Sequence, residues 1–532
     1  MTTKHVEIEQ KYDVALDVPW VDLSTVDGVA TVQPAREVAL TATYYDTPTL
    51  RLARAGITLR RRTLGAAEDA GSCRWTLGAA EDAGSGRRTG GSDAGWTMKL
   101  PVGGGREEHG EPLGEDDEPV PGSLLDLVRA WVRDAEVRPV ATLRTARTVH
   151  LLTGPSDERL AEGCDDVVTG EAPQPDGSAT LSRWREWEIE LLDGPAEVLD
   201  AAGKVMRKAG AAPSPWPSKL ARALGAAVPG PPVFNELTGH SRAGEVLHAH
   251  LAAQADALLG WDGPARRDEP DGVHKMRVAT RRLRSALGTF RRLVDRSVTD
   301  PLRDELKWIA SVLGDSRDAE VLRERLLAEI SAEPDDLVMG PIAALIEVEL
   351  RSDHRKAHDR LVEALNSERY FRLLDRLDAL VADPPFTPLA DGRADKVVTK
   401  LVRRSYKRVE RLVRLGAPES PTERDHWYHE IRKTAKRLRY AGEAVEPAFG
   451  APAAALAENA ENLQEVLGEH QDSVVARQAL RELGARIHLE GENAFTIGRL
   501  HALEQTRADE AAAEFEAAWR EVSDKQLRSW PR

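Results

Sequence analysis

The amino-acid sequence predicts an α+β protein of two domains, strands first and helices second. Three observations predict it. Alternating segments fill roughly the first 225 residues, a proline-rich stretch follows, and 3.6-residue periodicity runs from there to the C-terminus. His5–Tyr12, Ile57–Arg62 and Glu186–Leu191 alternate in polarity, which predicts strands with two unlike faces. Leu124–Ala135 and Ala196–Ala209 carry helical spacing instead. Residues 226–234 read Ala-Ala-Val-Pro-Gly-Pro-Pro-Val-Phe, a linker, because proline can neither feed a ladder nor continue a helix. The expected division is therefore a strand-rich domain over 1–225, the linker 226–234, and a helical domain over 235–525.

At 532 residues the chain exceeds one ordinary core, and 41% hydrophobic with 30% charged residues is globular composition. The formal net charge of −15 repels polyanions as a whole, so any polyanion site must rest on local basic clusters. Cys73 and Cys164 are the only cysteines and give no disulfide framework. No apolar run nears the ~20 residues that span a bilayer, and no secretory leader opens the chain. A reducing, cytoplasmic setting without a membrane partner is expected. Oligomeric state is not readable.

Two repeats occur. A ten-residue acidic, glycine-rich string begins at Thr63 and again at Thr76, and reads as a duplicated surface loop. A larger repeat lies in the second half. The basic segment from Val273 recurs from Tyr428, and Leu313-Gly314-x-x-x-Asp318 recurs as Leu467-Gly468-x-x-x-Asp472. Two landmarks at nearly one offset predict a tandem duplication of the helical domain.

In the first half, Glu7, Glu9 and Lys11 share one strand face, as do Glu186, Glu188 and Glu190, and Arg60 with Arg62. A solvated face would explain any one of these strands. Together, with Ile8, Trp187 and Ile189 interleaved, they suggest apolar side chains packed outward and charges facing one another inside a closed barrel. Carboxylates and cations in one cavity are reconciled by a divalent cation on hard oxygen ligands and a polyphosphate on Arg and Lys.

The same stretch resembles the CYTH, or triphosphate-tunnel metalloenzyme, superfamily. Glu7-x-Glu9-x-Lys11 matches its ExExK motif, and the later pieces follow in the family's order. They are Tyr44-Tyr45-Asp46-Thr47-Pro48, Gly56 to Arg62, Trp96 to Pro101, Arg106 with Glu108, Arg144 to Arg147, Asp165-Asp166, Trp187 to Leu191 and Ser218-Lys219-Leu220. The resemblance implies an eight-stranded antiparallel tunnel that hydrolyses triphosphate with Mg2+ or Mn2+. It assigns Glu7, Glu9 and Lys11 to catalysis. Phosphate contacts fall to Arg60, Arg62, Lys99, Arg106, Arg144, Arg147 and Lys219. Metal ligation falls to Glu7, Glu9, Asp165, Glu188 and Glu190. Asp165 against Asp166 and Arg144 against Arg147 remain open alternatives, since strand residues one or three apart face opposite sides, and so does Arg60–Arg62 against Arg87-Arg88, because the duplicated loop intervenes and the later pair looks like a second copy of the strand end.

In the helical half, His274, Arg277, Arg281 and Arg284 fall within roughly 80° of arc at 100° per residue. His429, Arg432, Lys436 and Arg439 repeat the pattern, and Lys396 to Arg411 forms a third basic helix. One such face would be ordinary solvated surface. Two of them in an acidic protein suggest a shared anion, and few aromatics are present for base stacking, which disfavours nucleic acid. The region resembles the CHAD domain through both His-x-x-Arg helices and both Leu-Gly-x-x-x-Asp segments. That implies two pseudo-symmetric helical bundles that bind inorganic polyphosphate, with the eight face residues as contacts and association with polyphosphate granules as a corollary. The expected function is hydrolysis of inorganic triphosphate or polyphosphate. The competing readings are a non-catalytic polyphosphate-binding or targeting protein, a thiamine triphosphatase, and an adenylate cyclase.

Overall fold

The computed structural model describes residues 3–524 except 65–93, 103–104, 115–118, 174–175, 226–227, 229–233, 341, 490 and 492. Nearly all of the duplicated loop, the Arg87-Arg88 segment and most of the expected linker lie outside the described residues. The chain divides into two compact units, Met1–Pro232 and Val233–Arg532.

The first unit is a curled antiparallel sheet. Its strands are β1 (Thr3–Glu7), β2 (Glu9–Val14), β3 (Thr31–Val32), β4 (Arg36–Asp46), β5 (Thr58–Leu64) and β6 (Gly95–Val102). They continue with β7 (Gly105–Glu111), β8 (Arg138–Thr153), β9 (Arg159–Pro173), β10 (Ala179–Leu191) and β11 (Ala212–Pro213). The order is β1-β7-β6-β5-β4-β8-β9-β10-β2-β11, with β3 beside β8. Ile8 alone separates β1 from β2, so both ends of this ladder meet in one N-terminal strand. Glu7 is registered on Arg106 of β7, and Glu9 on Glu190 of β10. The expected count of eight becomes eleven because that strand splits at Ile8 and β3 and β11 add two residues each.

Polarity is inverted relative to an ordinary barrel, and helices cover the apolar outer face. These are α1 (Arg51–Arg54), α2 (Gly122–Leu127), α3 (Arg129–Val132), α4 (Glu197–Lys208) and α5 (Lys219–Leu224). Tyr12, Trp187 and Ile189 pack with Val198, Leu199, Ala202 and Met206 of α4. Leu59, Trp96 and Met98 pack with Leu124 and Leu127 of α2 and Val132 of α3. Burying these side chains outward sends their strand neighbours, including Lys11, Arg60, Lys99, Glu188 and Glu190, to the other face. The single helix expected over Leu124–Ala135 breaks into α2 and α3 at Val128 and stops at Arg133, which adopts φ 61°. Asp46 of the Tyr-Tyr-Asp-Thr-Pro segment is a structural cap. Its carboxylate accepts from the Leu52 and Ala53 amides at 3.0 and 2.8 Å, fixing α1 against the end of β4.

The second unit is all-helical among the described residues. Its helices are α6 (Ala243–Gly260), α7 (Asp262–Arg266), α8 (Gly272–Thr289), α9 (Arg296–Ala332), α10 (Ile342–Leu365) and α11 (Glu368–Ala382). They continue with α12 (Ala394–Arg414), α13 (Pro421–Glu443), α14 (Glu446–Phe449), α15 (Ala451–Leu489) and α16 (Phe495–Val522). The series α6, α8, α9, α10 packs neighbour on neighbour, and α12, α13, α15, α16 repeats it. Where the two copies begin, Ala243 N donates to Gly392 O at 2.8 Å and Ala394 N to Ser241 O at 2.9 Å, a reciprocal exchange expected of a duplication. The copies are not exact, since the short α7 and α14 fall at different places and α11 lies between the two series. No helix among the described residues is long and apolar enough to cross a membrane.

Candidate active site and anion-binding surface

A cavity of about 590 Å3 opens within the curled sheet. Glu7, Glu9, Lys11, Arg60, Arg62 and Lys99 line it, as do Arg106, Arg147, Glu188, Glu190 and Lys219. Alternate residues on β1, β2, β5, β6, β7, β8 and β10 supply all but Lys219, which stands at the start of α5 behind the Ser218 N-cap.

The charges interlock. Lys11 lies 2.8 Å from Glu9 and 3.3 Å from Glu188. Lys99 pairs with Glu7 and, at 3.1 Å, with Glu108. Arg147 spans Asp166 and Glu188, both at 2.7 Å. Lys219 reaches Asp166 at 3.0 Å, Glu186 at 2.6 Å and Glu188 at 2.7 Å. Burial disfavours charge on Lys11, yet Glu188 and Glu9 outweigh it and hold the ammonium above its usual range. Burial likewise works against Glu188, but Lys219, Lys11 and Arg147 keep it well below the usual carboxylate range.

Two expected residues fall elsewhere. Asp165 faces outward, bound by Arg185 at 2.7 Å and by the Trp187 indole N–H at 3.2 Å; its neighbour Asp166 faces the cavity. The cause is register: Asp165 pairs across the ladder with Trp187, whose ring belongs to the outer core, and cross-strand partners share a face. Arg144 is exposed and does not line the cavity, because three residues from Arg147 is the opposite face. Arg144→Ala should change any phosphate-releasing activity by less than about twofold, as surface substitutions usually do; an activity assay beside Arg147→Ala checks this. Sequence reasoning left Asp166 as the alternative to Asp165, quoted Glu186, Glu108 and Tyr44 without giving them a role, and passed over Glu162, Arg36 and Arg159. The Glu186-x-Glu188-x-Glu190 alternation was a usable signal for Glu186. Tyr44 sits buried against the cavity, and although burial favours its neutral form, Arg60 draws its phenol below the usual range.

The donor set fits a hard divalent cation. Asp166, Glu186 and Glu188 bring carboxylate oxygens within 4.8 Å of one another, but Lys219 already meets all three. Around Glu190 the balance is different. Burial, then Glu7, Glu9 and Glu162, push its carboxyl up to about 8, so positive charge is locally deficient there.

In the second unit the two basic helices meet. Arg277 and Arg281 of α8 lie near Arg432 and Lys436 of α13 and act on one another electrostatically. Lys436 is only 9% exposed. Burial, then Arg281, Arg432 and Arg277, bring it down to about 6. Among the described residues neither Arg281 nor Lys436 has an ion-pair partner. The Leu-Gly-x-x-x-Asp segments now have a reason. The Arg277 guanidinium lies against Gly314, 3.4 Å from where a Cβ would stand, and reaches Asp318 at 3.1 Å. Arg432 repeats this with Gly468 at 3.5 Å and Asp472 at 3.9 Å.

The other four expected contacts differ. Arg439 is turned to Glu443 at 2.7 Å and Glu461 at 2.8 Å, so its charge is already balanced; sequence showed its helix face but not these acids. Arg284 stands at the edge of the cluster, acting on Arg281 but set most strongly against Arg437 and Arg303. His429 Nδ1 lies 2.7 Å from Gln471 Oε1, and burial lowers its pKa. Burial and then Arg317 lower that of His274. Both histidines are therefore neutral at pH 7 rather than charged, and His429 serves as a hydrogen-bonding group.

Comparison with known proteins agrees with this division. Residues 5–223 match the CYTH domain family and residues 249–481 the CHAD domain family. The chain is 36% identical over 538 residues to "Uncharacterized protein Rv2226" and equally to "Uncharacterized protein MT2285", both of Mycobacterium tuberculosis. Each alignment covers 99% of this chain and 98% of the relative. Among solved structures, "PptA from Streptomyces chartreusis" is 24% identical with a TM-score of 0.44, covering 53% of this chain and all of that one. The CHAD domain from the plant Ricinus communis gives 24% and 0.44, covering 55% of this chain and 94% of that one. With both domains matched in order and relatives aligned nearly end to end, the chain belongs to the family in which a CYTH domain is followed by a CHAD domain.

Proposed function

We propose that the tunnel hydrolyses a phosphoanhydride of inorganic triphosphate or longer polyphosphate with Mg2+ or Mn2+, and that the helical unit binds the polyphosphate chain. One observation carries the reading: cations and carboxylates alternate around a single cavity, beyond what a pure anion binder needs. CYTH domains are in general triphosphate tunnel metalloenzymes that act on phosphoanhydrides, which supports it. Lys11, Arg60, Arg62, Lys99, Arg106, Arg147 and Lys219 oppose the phosphate oxygens and stabilise charge on the leaving phosphate. Glu7, Glu9, Glu188 and Glu190 hold the metal. When bound, that metal neutralises phosphate oxygens and acidifies a water.

The test is phosphate release from tripolyphosphate, long polyphosphate, thiamine triphosphate and ATP, with Mg2+, Mn2+ or chelator. Metal-dependent release, fastest with tripolyphosphate, is expected; no release from any of them refutes catalysis and leaves the non-catalytic binder. One feature favours a second reading. Pro34, Val149, Leu151 and Leu192 make one end of the cavity partly apolar, which suits an organic tail such as thiamine or a nucleoside. Thiamine triphosphate or ATP outrunning tripolyphosphate would select it, and the cyclase variant would release pyrophosphate from ATP.

Polyphosphate binding by the helical unit should weaken steeply with salt and depend on pH. A bound polyanion favours charged Lys436, whose free value lies about 6, so binding takes up a proton above that point. Affinity is then constant below pH about 6 and falls by up to about tenfold per unit above it. A guanidinium at this place does not lose its proton near neutrality, so Lys436→Arg should flatten the curve. Titration calorimetry in buffers of different ionisation enthalpy reads the proton directly. An unchanged pH profile in Lys436→Arg would reject Lys436 as the titrating group.

A further inference from the structure

The helical unit holds a second cavity, of about 850 Å3, where the C-terminal end of α8 meets α12. The connection to α9 and residues 386–388 complete its wall. Arg291, Arg292, Arg404 and Arg408 line it, and none of the four makes an ion pair among the described residues. A fifth arginine, Arg296, is held by Asp300 at 2.9 Å. Asp295, the carboxylate in the lining, is engaged by the Ser297 amide and hydroxyl, both at 2.8 Å. The floor is apolar, built from buried Val294 and Leu401 with the Phe386 ring, 38% exposed, beside them.

We propose that this cleft is a separate binding site for a phosphorylated compound that carries a flat apolar group, of the nucleoside diphosphate kind. Four unpaired guanidiniums around one concavity repel one another until an anion is shared, and guanidinium forks match phosphate oxygens. An inorganic chain would satisfy them but would leave Phe386 and its neighbours against water. A planar group laid on that ring removes apolar surface from both partners. The α8–α13 cluster is built differently, around buried cations such as Lys436. Gly288, where the cleft begins, lies seven residues beyond Arg281, about 10 Å of helical rise.

The test uses the full chain and 8-azido-ADP, with the labelled peptides mapped by mass spectrometry so that this cleft is read apart from the tunnel and the α8–α13 cluster. Labelling is expected on peptides containing Phe386 or Leu401–Arg408. ADP should protect them at about tenfold lower concentration than pyrophosphate, and adenosine poorly. The double variant Arg404→Ala/Arg408→Ala should lose the labelling. Phe386→Ala should erase the advantage of ADP while pyrophosphate protection stays within about twofold, with unchanged circular dichroism confirming the fold. Absent labelling at these peptides overturns the proposal. So does equal protection by ADP and pyrophosphate that Phe386→Ala leaves unchanged, which would mark a surface for inorganic anions only.

Discussion

Replacing Glu9 with alanine is expected to slow metal-dependent phosphate release from tripolyphosphate by about 100-fold or more, the scale seen when one preorganised electrostatic contact is removed from a transition state. Glu9 sits at the junction of the two charge sets. It holds Lys11 at 2.8 Å and is among the carboxylates that push Glu190 up to about 8. Its loss frees Lys11, which keeps only Glu188 at 3.3 Å, and weakens the place where a divalent ion is needed. If Glu9 is a ligand, the Mn2+ concentration for half-maximal rate rises together with the loss of rate. Equal rates and equal metal requirement in Glu9→Ala and Glu7→Ala would remove the catalytic assignment of the ExExK strand.

Lys219→Met should cost about 3–5 kcal/mol of stability in the first unit, the usual penalty for leaving buried charge unpaired. Asp166, Glu186 and Glu188 have side chains 0–9% exposed, and Lys219 touches all three. Arg147 reaches Asp166 and Glu188 but is not seen on Glu186. Calorimetry should show a transition roughly 10 °C lower. The sign with pH follows from Glu188, which Lys219 does most to hold below the usual carboxylate range: without that ammonium its pKa rises, so the deficit of the variant narrows as pH falls and the carboxylate takes up a proton. A transition at the original temperature would show that the network adds nothing to folding.

How much of this was legible in the sequence depends on which physical rule fixed each residue. Strand parity placed Glu7, Glu9, Lys11, Glu188 and Glu190 on one face, because Trp187 and Ile189 leave water together; Ile8, expected to join them, is instead 43% exposed where β1 passes into β2. Parity alone could not decide between Asp165 and Asp166, or Arg144 and Arg147. That choice is one of register between strands, set when Trp187 meets Asp165 and Arg147 meets Asp166. The helical faces were equally readable from 3.6-residue spacing. Their charge state was not, since Glu461 neutralises Arg439 from another helix, and Arg281 crowds Lys436 across the two copies. The Leu-Gly-x-x-x-Asp repeat was visible as a pattern, but its purpose emerged only with an arginine lying on each glycine.

The split at Ile8 has a consequence for assembly. The opening strand is the stave that joins the first and last walls of the tunnel, gripping Gly105–Glu111 on one side and Ala179–Leu191 on the other. During synthesis it leaves the ribosome ahead of both partners, and the second of them emerges some 180 residues later. The stave must therefore wait, exposed, until the far wall arrives, and closing so distant a pairing is intrinsically slow.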